Sequence, residues 1–265
     1  MGSIKQAFDL TGKTALITGG SRGLGLQIAE AFGELGATVM LAARKSNELE
    51  EAKQHLEAMG IKADWATADV SNEEDIVALA DTAMERFGRV DILVNNAGAA
   101  WAAPTEDHPI EAWDRLMNIN VRSLFLLSQQ IGKKSMIPNR HGRIINVASI
   151  AGLRGSLGEV QTQTIAYNTS KGAVVNFTRA LAGSWGRYGI TVNALAPGYF
   201  PSKMTKPLLE SVGVDKMTVG VPLERLGDDD DLKGAACLFA SDAGKHITGQ
   251  ILAIDGGVTA VLMAP

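Results

Sequence analysis

The sequence predicts an α/β fold: a single domain built on one doubly wound parallel sheet with helices on both faces. Three observations carry this expectation. From Thr14 to about Asp91, short apolar and β-branched runs alternate with longer segments whose apolar residues recur at helical spacing. The same rhythm returns in the second half, and no linker or charge run breaks it. Strands separated by helices run parallel through right-handed crossovers, so the alternation implies one covered sheet.

Taken in order, Lys13 to Thr18 reads as a strand, Leu24 to Leu35 as a helix and Ala37 to Ala42 as the second strand. Glu48 to Met59 reads as an amphipathic helix ended by Gly60. Ile61 to Ala68 and Val90 to Val94 are further strands. Between them Ser71, three residues before Glu74, predicts a capping box that opens a helix to about Phe87. A long helix is expected over roughly Ile110 to Gly132, a strand over Arg143 to Ala148 and a second long helix over Ala166 to Arg187. A strand over Ile190 to Ala194, a helix over Asp230 to Ala240 and a strand near Ile251 to Ile254 complete the pattern. The one long irregular stretch runs from about Gly198 to Asp230.

At 265 residues, with 46% hydrophobic and 20% charged side chains, the chain can bury a large core. Its formal charge of −4, with acids and bases interspersed, offers no basic stripe for nucleic acid. Cys237 is the single cysteine, so no disulfide forms within the chain and a reducing compartment fits. His55, His108, His141 and His246 are scattered without metal-ligand spacing, so no metal site is expected. Met1 to Leu10 lacks the apolar core of a signal peptide, and no apolar run is long enough to span a membrane. The expectation is a soluble, cytoplasmic protein with no membrane partner.

The first strand opens through Thr18-Gly19-Gly20-Ser21-Arg22-Gly23-Leu24-Gly25 directly into a helix. Glycines there let the backbone approach a phosphate, and the helix start offers unpaired N–H groups and positive potential. The spacing T-G-x-x-x-G-x-G departs from the commoner G-x-G-x-x-G, and on it the chain resembles the classical short-chain dehydrogenase/reductase family, whose fold is of the Rossmann type. Asn95-Asn96-Ala97-Gly98 after the fourth strand and Asp69-Val70 after the third match two further signatures of that family. Gly19, Ser21, Arg22, Gly23, Leu24 and Gly25 are thereby the expected phosphate cradle. The resemblance also implies cofactor contacts from Asp69, whose carboxylate would meet the adenine amine, and from Val70, Asn96, Ala97 and Gly98.

The second strand ends in Ala42-Ala43-Arg44. A carboxylate at that edge would bond a free ribose 2′-hydroxyl and repel a 2′-phosphate, whereas arginine holds the phosphate through charge-assisted bonds. Ala43 stands where NAD-preferring relatives place the acid, and Arg22 can bracket the phosphate from the other side. NADP(H) is the expected cofactor.

Tyr167 and Lys171, four residues apart, share one face of a helix that follows the strand ending near Ser149. A phenol of ordinary pKa near 10 serves poorly as an acid/base near neutrality, and a neighbouring ammonium stabilises its phenolate. Ser149 can donate a hydrogen bond to a substrate oxygen. In the family, Y-x-x-x-K is the central motif, and Asn120 in Asn118-Ile119-Asn120-Val121 matches the asparagine that completes its tetrad. The implied roles are Ser149 polarising a carbonyl, Tyr167 donating the proton, Lys171 holding the ribose and tuning Tyr167, and Asn120 ordering a water relay. Pro197, Gly198 and Ser202 match the segment that binds the nicotinamide end, with serine where relatives carry threonine.

Together these residues predict an oxidoreductase that interconverts a ketone and a secondary alcohol; the competing class, a non-catalytic NADP(H) sensor, loses Tyr167 or Lys171 in relatives. Tyr199-Phe200-Pro201-Ser202-Lys203-Met204-Thr205 and Ala99-Ala100-Trp101 look similar both to β-ketoacyl reductases and to gluconate 5-dehydrogenase-like members. A hydrophobic ketone or 3-oxoacyl ester is the first expectation and a polyol the alternative. Trp101 is expected at the pocket. The segment Gly155 to Thr164 is longer than in most relatives and is expected to border the site. The apolar residues of 198–230, including Phe200, Met204, Leu208, Met217 and Val219, form either a substrate lid or two short helices packed on the core or a neighbour. The resemblance implies a homotetramer packed through the two long helices, where Gly172, Ala173 and Ala180 allow close approach.

Overall fold

In the computed structural model, which describes residues 2–155, 163–203 and 205–262, the apolar runs form strands β1 (Thr14–Thr18), β2 (Thr38–Ala43), β3 (Ala63–Thr67), β4 (Ile92–Asn95), β5 (Gly142–Val147), β6 (Ile190–Pro197) and β7 (Ile251–Ile254). All pair in parallel in the order β3-β2-β1-β4-β5-β6-β7. Successive side chains of a strand point to opposite faces, and β1 shows the consequence. Ala15 and Ile17 pack with Ile28, Phe32 and Phe239 on one side, while Leu16 packs with Met40, Leu79, Leu127 and Ile131 on the other. The chain order reverses between β1 and β4, and the crevice above their C-terminal ends is where a parallel sheet receives ligands.

The helices are α1 (Ile4–Phe8), α2 (Gly23–Glu34), α3 (Ser46–Ala58), α4 (Glu73–Phe87), α5 (Ile110–Met117), α6 (Ser123–Ile131), α7 (Ile137–Asn139), α8 (Ile165–Trp185), α9 (Lys206–Val212), α10 (Val214–Thr218) and α11 (Lys233–Ala240). Among the described residues, none is long and apolar enough to cross a membrane.

Three expectations are corrected. The cap of α4 is Asn72, whose side chain accepts from the N–H groups of Glu74 and Asp75. Ser71 instead turns its hydroxyl to Asp69. The long helix predicted to end at Gly132 continues to Asn139, through π-turns at Asn118–Arg122 and Gly132–Met136. Gly132 is not a stop signal: a Cβ there would run into the Trp185 indole of α8, so glycine serves close helix packing. The stretch after Gly198 is not irregular throughout, since it contains α9 and α10. A short first helix, α1, opened by a capping box of Ser3 and Gln6, was not signalled by periodicity because it spans barely more than one turn.

Candidate active site

The glycine-rich end of the crevice grows from Thr18, the last residue of β1. Its hydroxyl donates to the Val94 carbonyl at 3.3 Å and accepts from the N–H groups of Asn96 and Ala97, each at 3.1 Å. The Asn96 amide donates back to the carbonyls of Thr18 and Gly19 at 2.9 and 3.1 Å. The first and fourth strands are thus laced together where the sheet order reverses. Gly19 has φ of 64°, and a Cβ there would stand 2.8 Å from the Asn96 amide nitrogen. Glycine is required on both counts.

Helix α2 begins at Gly23, with Arg22 at its cap position and no side chain satisfying the first N–H groups. An uncapped start facing the crevice is a ready anion site. Arg44 follows β2 directly and makes no hydrogen bond or ion pair among the described residues, although its charge helps hold the Asp69 carboxyl below the usual range. The larger cause of that lowering is the Ser71 hydroxyl. Asp69 Oδ1 accepts from Ser71 N at 2.9 Å and Ser71 Oγ at 2.7 Å, so the carboxylate is fixed beside Val70 at the end of β3. Arg22 is paired with Glu48, which also receives Lys45 Nζ at 3.0 Å. Sequence reasoning missed this acid because Arg22 reaches it from the glycine-rich turn, 26 positions away.

The residues expected to carry the chemistry sit on or beside β5, α8 and the first π-turn. Ser149, buried just past β5, accepts from Ala151 N at 3.1 Å and shares a hydrogen bond with the Tyr167 hydroxyl. Burial pushes the phenol up, and the Ser149 bond pulls it partly back. Lys171 is 5% exposed; its ammonium donates to the Val147 carbonyl at 2.8 Å and lies 5.7 Å from the Tyr167 ring centre. Burial alone brings it down to about 8.

Asn120 lies in the π-turn and is buried. Its side chain accepts from Ala99 N and donates to Ala99 O and Ser170 Oγ, all at 2.9 Å. The Ser170 hydroxyl in turn donates to the Tyr167 carbonyl at 2.8 Å. The amide therefore clamps the turn after Gly98 to the helix that carries Tyr167. A Cβ on Gly98 would lie 3.3 Å from Asn120 Oδ1 and 3.6 Å from Lys171 Nζ, so the bare glycine leaves room where these groups converge. A further buried chain, Ser128–Asn95–Asn146–Thr178, ties β4 and β5 to their covering helices at 2.9 to 3.1 Å. Polar residues inside apolar strand runs were its only sequence signal.

Pro197 closes β6, and Gly198 N donates to Ile254 O at 2.9 Å. A Cβ on Gly198 would lie 2.8 Å from Asp255 Cα, which keeps this position glycine. The Ser202 hydroxyl is engaged with Thr205 Oγ1 at 3.0 Å. Trp101 stands 46% exposed. Arg154, five residues beyond Ser149, grips the C-terminal segment through the carbonyls of Val258, Thr259 and Val261, an anchor that periodicity could not signal. The central part of the long Gly155–Thr164 segment lies outside the described residues, as do Met204 and the Leu208 side chain. Among the described residues no cluster of histidine, cysteine or carboxylates is arranged to hold a metal ion.

The model of the short chain dehydrogenase family matches residues 13–213. The chain is 40% identical over 258 residues to gluconate 5-dehydrogenase of Gluconobacter oxydans (strain 621H), an alignment spanning 96% of this chain and 98% of that protein. It is 37% identical over 254 residues to the rhamnolipids biosynthesis 3-oxoacyl-[acyl-carrier-protein] reductase of Pseudomonas aeruginosa, across 94% and 97% of the two chains. The crystal structure of a gluconate 5-dehydrogenase from Burkholderia cenocepacia J2315 in complex with NADP and tartrate superposes with a TM-score of 0.91 at 34% identity, covering 98% of this chain and all of that one.

Proposed function

Because the chain belongs to the short-chain dehydrogenase family, we propose that it is an NADP(H)-dependent oxidoreductase that interconverts a ketone and a secondary alcohol, favouring a hydrophobic ketone or 3-oxoacyl ester. The observation that carries this is the meeting of Ser149, Tyr167 and Lys171 above β5, beside the crevice bounded by the uncapped start of α2.

The crevice fits the cofactor on its own chemistry. The first N–H groups of α2 and the glycines at 19, 23 and 25 would take the pyrophosphate. Arg44, which makes no hydrogen bond or ion pair among the described residues, would take the 2′-phosphate with Arg22; Asp69 and Val70 would meet the adenine, and Asn96, Ala97 and Gly98 the adjoining ribose. Lys171 and Tyr167 would hold the nicotinamide ribose, with Pro197, Gly198 and Ser202 at the ring. When bound, the nicotinamide supplies or accepts the hydride.

The chain's own part is acid/base chemistry and positioning. Ser149 donates a hydrogen bond to the substrate oxygen and polarises the carbonyl. The Tyr167 hydroxyl, already within hydrogen-bond reach of Ser149, hands its proton to that oxygen during reduction and takes it back during oxidation. Lys171, buried close to the ring, favours the phenolate whenever it is charged. Asn120 keeps the turn after Gly98 and the Tyr167 helix in register.

The segment 198–230 acts in this reading as a substrate lid rooted in the core. Phe200, Met217 and Val221 are buried, whereas Val214 and Val219 are 51% and 73% exposed and present apolar surface to whatever closes against them. Assembly as a homotetramer is part of the proposal: Phe125 of α6 is 46% exposed beside Phe177 of α8, a half-covered aromatic pair on the two long helices. We place the enzyme in the cytoplasm, in keeping with its single, buried cysteine.

The 40% identity to a gluconate 5-dehydrogenase favours a second reading, a polyol or sugar-acid dehydrogenase. NADPH oxidation measured side by side with a β-ketoester, an aliphatic ketone and 5-ketogluconate separates the two. No turnover with any ketone or polyol in either direction would remove both and leave a non-catalytic NADP(H)-binding protein.

A further inference from the structure

Three cations stand in the glycine-rich turn and just past β2: Arg22 in the turn, Arg44 at the strand end and Lys45 next to it in the chain. One carboxylate, Glu48 in the first turn of α3, engages two of them. Arg22 Nη1 bonds Glu48 Oε2, and Lys45 Nζ bonds Glu48 Oε1 at 3.0 Å, so each carboxylate oxygen has a separate cationic partner. Glu48 is the more sheltered member, with its side chain 21% exposed against 51% for Arg22 and 58% for Lys45. Its carboxyl is held below the usual range, first by the Lys45 bond, and so stays charged throughout the neutral range.

We propose that Glu48 is a selectivity-determining residue, a built-in carboxylate that occupies Arg22 and Lys45 in the place of the ribose 2′-phosphate and must release them when the phosphate-bearing cofactor binds. The idea rests on the NADP(H) reading above. In this reading a dianionic phosphate entering beside Arg44 calls on the same donors that Glu48 holds, and the two anions repel. A cofactor with a free 2′-hydroxyl makes no such demand, so Glu48 leaves it nearly untouched. The acid therefore narrows the margin by which NADPH is preferred over NADH and favours release of the oxidised phosphate-bearing product. Glu48 engages Arg22 and Lys45 and leaves Arg44 to the phosphate.

The test uses the full chain and direct binding titrations of NADPH and NADH, with 2′,5′-ADP and 5′-AMP as fragments that differ by the phosphate alone. Exposed ion pairs are weak, so Glu48→Gln is expected to tighten NADPH and 2′,5′-ADP by about three- to tenfold while NADH and 5′-AMP change by less than about twofold. The gain is expected to shrink at high salt and to fall further when Arg22→Ala is added, since one of the two released donors is then missing. Unchanged or weaker NADPH binding by a folded Glu48→Gln protein overturns the proposal and makes Glu48 a residue that merely orients Arg22. Binding of NADH by the wild-type chain as tight as that of NADPH also overturns it, and places the failure in the 2′-phosphate reading itself.

Discussion

The ammonium of Lys171 lies 5.7 Å from the centre of the Tyr167 ring and is anchored on the Val147 carbonyl rather than on the phenol oxygen. The hydroxyl of Tyr167 has Ser149 as its partner instead. The two titrating groups thus have separate hydrogen-bond partners, and burial opposes the charge on each: it raises the phenol and lowers the amine. This arrangement leads to the first two predictions.

Tyr167→Phe keeps the ring and the packing of α8 but deletes the hydroxyl proposed to deliver a proton to a substrate oxygen held by Ser149. Turnover is expected to fall by about 100- to 10,000-fold, with the NADPH dissociation constant changed by less than about threefold. Steady-state kinetics and a binding titration read the two effects separately. A variant that keeps a tenth of wild-type turnover would mean that another group supplies the proton.

Lys171 also has a measurable pH signature in stability. Its folded pKa is about 8 against an ordinary value of 10.5. Between those values the unfolded chain holds a proton that the folded chain has shed, so stability contributed by this residue rises with pH across that window. The full penalty for charging the buried amine is present below pH 8, about 3 kcal/mol from the size of the shift. Lys171→Met is expected to remove that rise. Denaturant unfolding of both proteins without cofactor at a series of pH values checks it, since every other titrating group is common to the pair. Parallel stability curves from pH 8 to 10.5 would show that the ammonium is not penalised by burial.

Much of this site is legible in the sequence because its residues sit at ends of strongly periodic elements. The apolar runs around β1, β4 and β5 can only be buried strands, and Thr18, Asn95 and Ser149 then fall at one edge of one sheet. What stayed hidden depends on partners distant in sequence. Asn72 rather than Ser71 caps α4 because Asp69 competes for the serine hydroxyl. The π-turn that buries Asn120 has no local signature, since a helix that widens by one residue keeps nearly the same apolar spacing. Glu48 reads as an ordinary charged residue of an amphipathic helix until Arg22 is seen to reach it. The Arg154 grip on the chain end likewise joins residues more than a hundred positions apart.

Cofactor choice gives the third prediction. Arg44 is free to form charge-assisted bonds to a 2′-phosphate, worth about 1.5–3 kcal/mol, and Ala43 offers no acid to a 2′-hydroxyl. Combining Arg44→Ala with Ala43→Asp is expected to lower kcat/KM for NADPH by about 10- to 100-fold and to move the preference toward NADH. Kinetics with both cofactors decide the matter. A wild-type preference for NADH, or a double variant indifferent to the change, would refute the role given to Arg44.

The last prediction concerns the substrate and uses the exposed apolar face of the 198–230 segment. Val214 and Val219 stand 51% and 73% exposed at either end of α10, while Met217 between them is buried. A surface of this kind is stabilised by being covered, and two covers are available: the substrate under a closing lid, or a neighbouring subunit. If the lid is the answer, each methylene of the substrate that it removes from water contributes about 0.8 kcal/mol, close to fourfold in kcat/KM. Efficiency with straight-chain β-ketoesters is then expected to climb with chain length until the pocket fills, and to exceed that with 5-ketogluconate. Replacing both Val214 and Val219 with serine is expected to flatten the climb, leave NADPH affinity unchanged and leave the sedimentation coefficient as it was. If a subunit is the cover, the same double variant dissociates the assembly and the chain-length dependence survives in the remaining activity. A strong preference for 5-ketogluconate with no response to chain length would overturn the hydrophobic-ketone reading and establish the polyol reading in its place.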